Sequence, residues 1–210
     1  DNDARETADL VEGEGRRCAL IRGDVGDPDF CQVIVDRTLG ELGGLNILVH
    51  NAAEQYDWKE ITELENDQLE RTFRTNVFSH FYLTKAALPH MREGDSVIAT
   101  SSINAFKGNP TLLDYTATKG AVQALMRSFS IALMDRGIRV NAVAPGPIWT
   151  PLIPASFDRE KVARFGGQVP MERAGQPSEV APAYVYLASA DGSYVSGQTL
   201  HVNGGVILNT

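Results

Sequence analysis

The sequence predicts an α/β fold, a doubly wound parallel sheet in three layers with helices on both faces. Three observations predict it. Short apolar runs at 46–50, 97–101 and 137–144 have the length and β-prone content of buried parallel strands. Longer stretches of helical period alternate with them, as crossover connections require. Two of the runs also empty into small or chain-breaking residues, Asn51-Ala52-Ala53 and Pro145-Gly146-Pro147. Open α/β sheets bind ligands at such strand exits.

In chain order, 3–15 reads as an amphipathic helix that ends among Gly13 and Gly15, followed by a strand over 18–22. Asp24-Val25 comes next, where an acid can cap the following helix or face a ligand. That helix, 28–42, carries Phe30, Val33, Ile34, Val35, Leu39 and Leu42 and stops at Gly43-Gly44. After the strand at 46–50, Trp58 sits in a loop as a substrate-side aromatic or as packing. A long helix from about 66 to 91 lines up Leu69, Phe73, Val77, Phe81 and Leu88, and Asn76 interrupts the stripe. A buried amide needs partners, so Asn76 is a packed structural amide or a site residue.

The strand at 97–101 leads to Ser102, and Gly108-Asn109-Pro110 breaks the chain. Helix 112–136 follows, with Leu112, Tyr115, Val122, Leu125, Phe129 and Leu133 among its apolar positions. Strand 137–144 leaves the sheet abruptly through Pro145-Gly146-Pro147-Ile148-Trp149-Thr150. Residues 151–175 are rich in Pro and Gly, hold a short helical patch near 158–165 and read as a mobile lid. A helix opening at Gly175-Gln176-Pro177 runs to about Ser189, and a closing strand and turn occupy 197–205. Nothing suggests a second domain, so 1–210 reads as one unit.

The chemistry concentrates in Ser102, Tyr115 and Lys119. Tyr115 and Lys119 are four apart on one helix and share a face. A free phenol titrates near 10, and a neighbouring ammonium lowers that value toward a useful range. A serine hydroxyl can donate to an oxygen on which charge develops. Y-x-x-x-K is a weak signal by itself; the serine and the strand–helix setting sharpen it.

With these residues the chain resembles the short-chain dehydrogenase/reductase family in its NAD(P)-dependent form, which sets a serine thirteen residues before the tyrosine and so selects Ser102 over Ser101. The resemblance runs nearly end to end and implies a Rossmann-like domain that interconverts an alcohol and a carbonyl. It implies Tyr115 as general acid/base, Lys119 lowering its pKa and holding the nicotinamide ribose, Ser102 polarising the substrate oxygen, and Asn76 completing a proton relay. It places Asp24-Val25 against adenine, and Asn51, Ala52 and Ala53 toward the cofactor. The family pattern there is Asn-Asn-Ala-Gly, and His50-Asn51-Ala52-Ala53 departs from it at both ends. Pro145, Gly146, Ile148 and Thr150 fall on the nicotinamide side. NAD or NADP is the implied cofactor, with the preference unreadable here. By the same resemblance the helices at 66–91 and 112–136 build a homodimer or homotetramer. The Pro-Ile-Trp-Thr-Pro-Leu-Ile-Pro stretch and the His-Val-Asn-Gly-Gly ending resemble a bacterial subgroup, the glucose-dehydrogenase-like or general-stress oxidoreductases.

Composition excludes other classes. The net charge of -8 with no basic run argues against nucleic acid as a partner. No apolar run approaches the ~18–20 residues of a membrane span. Cys18 and Cys31 form neither C-x-x-C nor a metal spacing and read as free thiols of a reducing cytosol. His50 has no second ligand at metal spacing and reads as structural, so no metal is implied; His80, His90 and His201 receive no role.

One expected feature is not among the 210 residues: the G-x-x-x-G-x-G turn at a helix N-terminus that takes a pyrophosphate. The first residues read as the helix after a second strand. A first βαβ unit of ~30 residues or more is therefore absent from this sequence: either the sequence is a piece of a longer enzyme, or it is a truncated product for which weak cofactor binding and poor activity are expected. In the 3-2-1-4-5-6 order the strands of that unit would separate 18–22 from 46–50. Two other readings stand beside the oxidoreductase: a non-catalytic remnant or scaffold keeping the oligomer interface, and a nucleotide-binding module without redox chemistry.

Overall fold

A computed structural model describes residues 2–208. Four strands, β1 (Ile47–His50), β2 (Ser96–Thr100), β3 (Arg139–Pro145) and β4 (Thr199–Val202), form one parallel sheet in the order β1-β2-β3-β4. Register runs Leu48 to Val97 to Val140 across the first three strands, and Ala142 pairs with Thr199.

The two sheet faces have separate cores because strand side chains alternate. Val97, Ala99, Val140 and Ala142 point to one face. There they meet Val35 of α2 (Pro28–Leu42), Ala87 of α4 (Ser79–Ala87), and Val122, Leu125 and Met126 of α6 (Leu113–Ala132). Ile98 and Val143 point to the other, against Val180 and Leu187 of α9 (Pro177–Ala188). Each fully buried aliphatic side chain contributes roughly 1.5–3 kcal/mol. The result is the expected α/β/α sandwich.

Local chemistry sets the helix ends. Asp27 caps α2 by accepting from Asp29 N, Pro28 supplies a preset first turn, and Gly43 closes it in the left-handed region at φ 88°. Asp24 therefore does not cap α2; its Oδ1 accepts from Gly26 N at 2.8 Å. Asn109 does for α6 what the helix lacks at its own cap position, its amide oxygen accepting from Thr111 N at 3.0 Å and Leu112 N at 3.1 Å.

Three elements differ from expectation. Residues 18–22 form no strand: they make no backbone ladder, since no described strand lies beside them. α1 (Asn2–Gly13) likewise buries no side chain. β1 is covered on one face only, because on the other α9 lies over β2, β3 and β4, and Ile47 is left 46% and Val49 42% exposed instead of buried. The long helix at 66–91 is three segments: α3 (Asn66–Phe73), a π-helical turn (Arg74–Phe78) and α4, trailed by a 3₁₀ turn at Leu88–His90. The lid holds two short helices, α7 (Leu152–Ser156) and α8 (Arg159–Ala163).

Candidate active site

The exits of β1, β2 and β3 lie side by side at the carboxyl rim of the sheet, and the site residues gather there. β2 ends at Thr100, so Ser101 and Ser102 sit at its mouth. Ser101 N donates to Val143 O at 2.7 Å and Ile103 N to Pro145 O at 3.1 Å, which stitches this exit to that of β3. The Ser102 hydroxyl, in a residue 7% exposed, accepts from Asn104 N at 3.1 Å as α5 (Asn104–Lys107) begins.

Tyr115 lies in the first turn of α6, with Lys119 one turn on. The Lys119 ammonium stands 5.4 Å from the Tyr115 ring centroid and donates to Thr100 O at 2.7 Å. Lys119 is 2% exposed, and burial lowers its pKa to about 8. The expected depression of the phenol is absent: burial pushes Tyr115 up to about 12, with the Ser102 hydroxyl opposing the rise and Tyr184 adding to it. Desolvation of the buried phenolate is the largest of these effects. At neutral pH the pair is therefore a protonated phenol beside a charged lysine.

Asn76 is fully buried in the π turn, and its amide is engaged at both ends. Oδ1 accepts from Glu54 N at 2.8 Å, and Nδ2 donates to Glu54 O at 2.8 Å and to Thr118 Oγ1 at 3.1 Å. Thr118 in turn donates to Tyr115 O at 2.7 Å. Asn76 thus ties the loop after β1 to the turn that carries Tyr115. A π turn widens the helix and often marks a functional site.

His50 is buried and stacks on His80 with ring centroids 4.3 Å apart; its Nε2 is 3.0 Å from Thr84 Oγ1. Burial lowers both imidazoles, His50 to about 3 and His80 to about 2, so both are neutral near pH 7. That is a packing role for His50. Among the described residues, no group of three His, Cys, Asp or Glu could hold a metal ion.

The remaining expected contacts spread along the rim. Asn51 accepts from Thr100 Oγ1 at 2.8 Å, with Ala52 and Ala53 following it. Gly146 passes the turn after β4 so closely that a Cβ would meet Asn203 Cα at 2.7 Å. Ile148 packs on the α9 core and pairs with Gly175, and Thr150 O accepts from Ile153 N at 3.0 Å as α7 opens. Pro145 and Pro147 flank Gly146. Asp24 and Val25 come just before α2, where a Cβ at Gly26 would meet Arg74 Cγ of the π turn at 3.0 Å; Val25 O accepts from Cys31 Sγ at 3.2 Å. Sequence reasoning missed Tyr184 of α9, whose hydroxyl is 2.6 Å from Thr100 Oγ1. It sits 84 residues from its partner, and no local spacing signals it.

The donor set fits the nicotinamide half of NAD(P). Lys119 has three ammonium protons and gives one to Thr100 O, leaving two for a ribose diol. The described residues include no Gly-rich strand–turn–helix to take the pyrophosphate.

Comparison with known proteins agrees with this geometry. A family model described as enoyl-(acyl carrier protein) reductase matches residues 1–207. The chain belongs to the short-chain dehydrogenase/reductase family. Its relatives include General stress protein 39 of Bacillus subtilis (strain 168), 57% identical over 208 residues, which are 99% of this chain and 73% of that protein. Glucose and ribitol dehydrogenase of Daucus carota is 53% identical over 213 residues, 100% of this chain and 73% of that protein. A short-chain dehydrogenase from Burkholderia cenocepacia J2315, solved in complex with NADP, superposes with a TM-score of 0.88 at 28% identity, covering 97% of this chain and 82% of that one. This short-chain dehydrogenase/reductase is an NAD(P)-dependent oxidoreductase, and the remnant reading is not favoured.

Proposed function

We propose that the protein interconverts an alcohol and a carbonyl with Tyr115 as its general acid/base. The observation that carries this is the convergence of Ser102, Tyr115 and Lys119 on one rim, with the lysine 5.4 Å from the tyrosine ring. NAD(P) supplies or accepts the hydride. Ser102 donates to the substrate oxygen as charge develops there. In the reducing direction Tyr115, protonated at neutral pH because burial holds its pKa near 12, gives its proton to that oxygen. Lys119 keeps its charge at pH 7 with a pKa of about 8, stabilises the phenolate left behind and holds the ribose. Asn76 supports the relay by fixing Tyr115 through Thr118.

Asn51, Ala52 and Ala53 face the cofactor, Pro145, Gly146, Ile148 and Thr150 its nicotinamide side, and Asp24-Val25 the adenine. Residues 1–210 act as one domain of the dinucleotide-binding kind. Two unpaired thiols fit a reducing, cytoplasmic setting. A homodimer or homotetramer formed through the helices at 66–91 and 112–136 fits the exposed Phe78, Phe81 and Ile131.

The test is Tyr115→Phe in the full-length protein. NAD(P)H absorbance is followed over a carbonyl and alcohol panel led by ribitol and glucose, the compounds in the carrot relative's name. Loss of about 10²–10⁴-fold in kcat with an unchanged circular dichroism spectrum is expected. Turnover that survives the substitution would remove Tyr115 from the mechanism.

A further inference from the structure

One residue at the exit of β2 joins elements from both faces of the sheet. Thr100 O accepts from Lys119 Nζ of α6 at 2.7 Å. The Thr100 side chain shares a face with Ile98, two residues back along the strand, and so points toward α9. There Thr100 Oγ1 lies 2.6 Å from Tyr184 Oη of α9 and 2.8 Å from Asn51 Oδ1, in the residue that follows β1. The backbone of Thr100 thus holds the catalytic lysine, and its hydroxyl links α9 to the loop after β1.

Counting protons gives this chain a direction. A threonine hydroxyl carries one proton, and an amide oxygen only accepts. Thr100 gives its proton to Asn51 Oδ1, so Tyr184 is the donor in the 2.6 Å bond. The reverse order would strand the Tyr184 proton, because Thr100 Oγ1 is the partner this hydroxyl has among the described residues. Burial holds the Tyr184 phenol above its ordinary value, so the proton stays on it near neutral pH. The network also assigns the two ends of the Asn51 amide. Its oxygen faces Thr100, which leaves the NH2 group of this exposed residue to meet a ligand. Without the Tyr184 proton the Thr100 oxygen becomes an open acceptor, and the amide can turn over and donate to it instead. We propose that Tyr184 is a positioning residue of the cofactor site, which acts through Thr100 to hold the Asn51 amide with its N–H groups toward an acceptor oxygen of NAD(P). The proposal rests on the reading of Asn51 as cofactor-facing.

The experiment measures NADPH and NADH binding to the full-length protein by calorimetry, without substrate. Wild type is compared with Tyr184→Phe, Thr100→Val, Asn51→Ala and the double variant Tyr184→Phe/Asn51→Ala. Asn51→Ala should weaken binding about tenfold, the equivalent of one hydrogen bond of about 1.4 kcal/mol. Tyr184→Phe and Thr100→Val should each weaken it roughly three- to tenfold. An amide without a preferred orientation accounts for about twofold, and released side-chain rotamers for the rest. In turnover the loss should fall on the cofactor KM rather than on kcat, since Lys119 is held by a backbone carbonyl that neither substitution removes. The double variant should bind no more weakly than Asn51→Ala alone, because Tyr184 acts through that amide. A purely structural Tyr184 would lower the unfolding free energy of Tyr184→Phe and leave its cofactor affinity unchanged, and the proposal would fall. It falls equally if the losses of the two single variants multiply in the double variant. Wild-type affinity in Asn51→Ala would remove the cofactor-facing reading of Asn51 and this proposal with it. A tenfold loss in Asn51→Ala beside unchanged Tyr184→Phe and Thr100→Val would overturn this proposal alone.

Discussion

Lys119 heads the largest side chains held out of water in this molecule, and its burial opposes stability. Its pKa is about 8 in the folded chain against 10.5 for the free group. Between those values the unfolded chain binds the additional proton, so stability rises with pH across the window from about 8 to 10.5. Below pH 8 the full penalty applies, about 3 kcal/mol for a shift of this size. Lys119→Met should therefore abolish turnover yet raise the unfolding free energy at pH 7 by about that amount. The gain should fade as pH climbs through the window. Urea denaturation at pH 7 and at pH 10 reads both numbers, and a variant no more stable than wild type at pH 7 would mean that the charge is well solvated. A site that retains a destabilising charge does so for chemistry, as stability–activity trade-offs elsewhere suggest.

At the scale of elements, the π turn and the loop after β1 behave as one device, because Asn76 bonds both backbone groups of Glu54. Asn76→Ala strips those partners and also releases Thr118, whose hydroxyl holds Tyr115 O. The Glu54 amide should then exchange with solvent at least tenfold faster, with kcat reduced; unchanged exchange would show that Asn76 is not the tether. Much of this level is legible in sequence. Helix 28–42 is readable to the residue because its period, Asp27-Pro28 start and Gly43 stop all agree. The span at 18–22 misleads because a strand is defined by its neighbour, and apolar content cannot reveal whether one is present. The π turn is invisible for a related reason: Arg74-Thr75-Asn76-Val77 keeps helical composition while the hydrogen-bond step changes. Ser102, Tyr115 and Lys119 are readable from spacing along one strand–helix unit. Tyr184 gains meaning only from Thr100, the partner that the fold brings to it.

At the scale of the whole molecule, one surface bears on the proposed homodimer or homotetramer. Ala117, Gly120, Ala124 and Ser128 recur every three or four residues on α6 and form a stripe of small residues. Glycine inside a helix costs roughly 0.5–1 kcal/mol relative to alanine. At Gly120 the cost has no local return, because an added Cβ would meet nothing within 4 Å. Beside the stripe, Ile131 is 78% exposed and Phe81, edge-on to Phe129, is 47% exposed. Small residues that let a second helix approach, rimmed by uncovered apolar side chains, fit a symmetric contact between two copies. Gly120→Ala should then raise monomer stability by roughly 0.5–1 kcal/mol while weakening association. Gly120→Leu with Ile131→Glu should drive the protein to monomer by light scattering. Tyr115 and Lys119 lie on the same helix, so this monomer should also lose activity. Full activity in a monomeric variant would separate assembly from catalysis, and a wild-type mass equal to that of one chain would mean that the stripe serves no such contact.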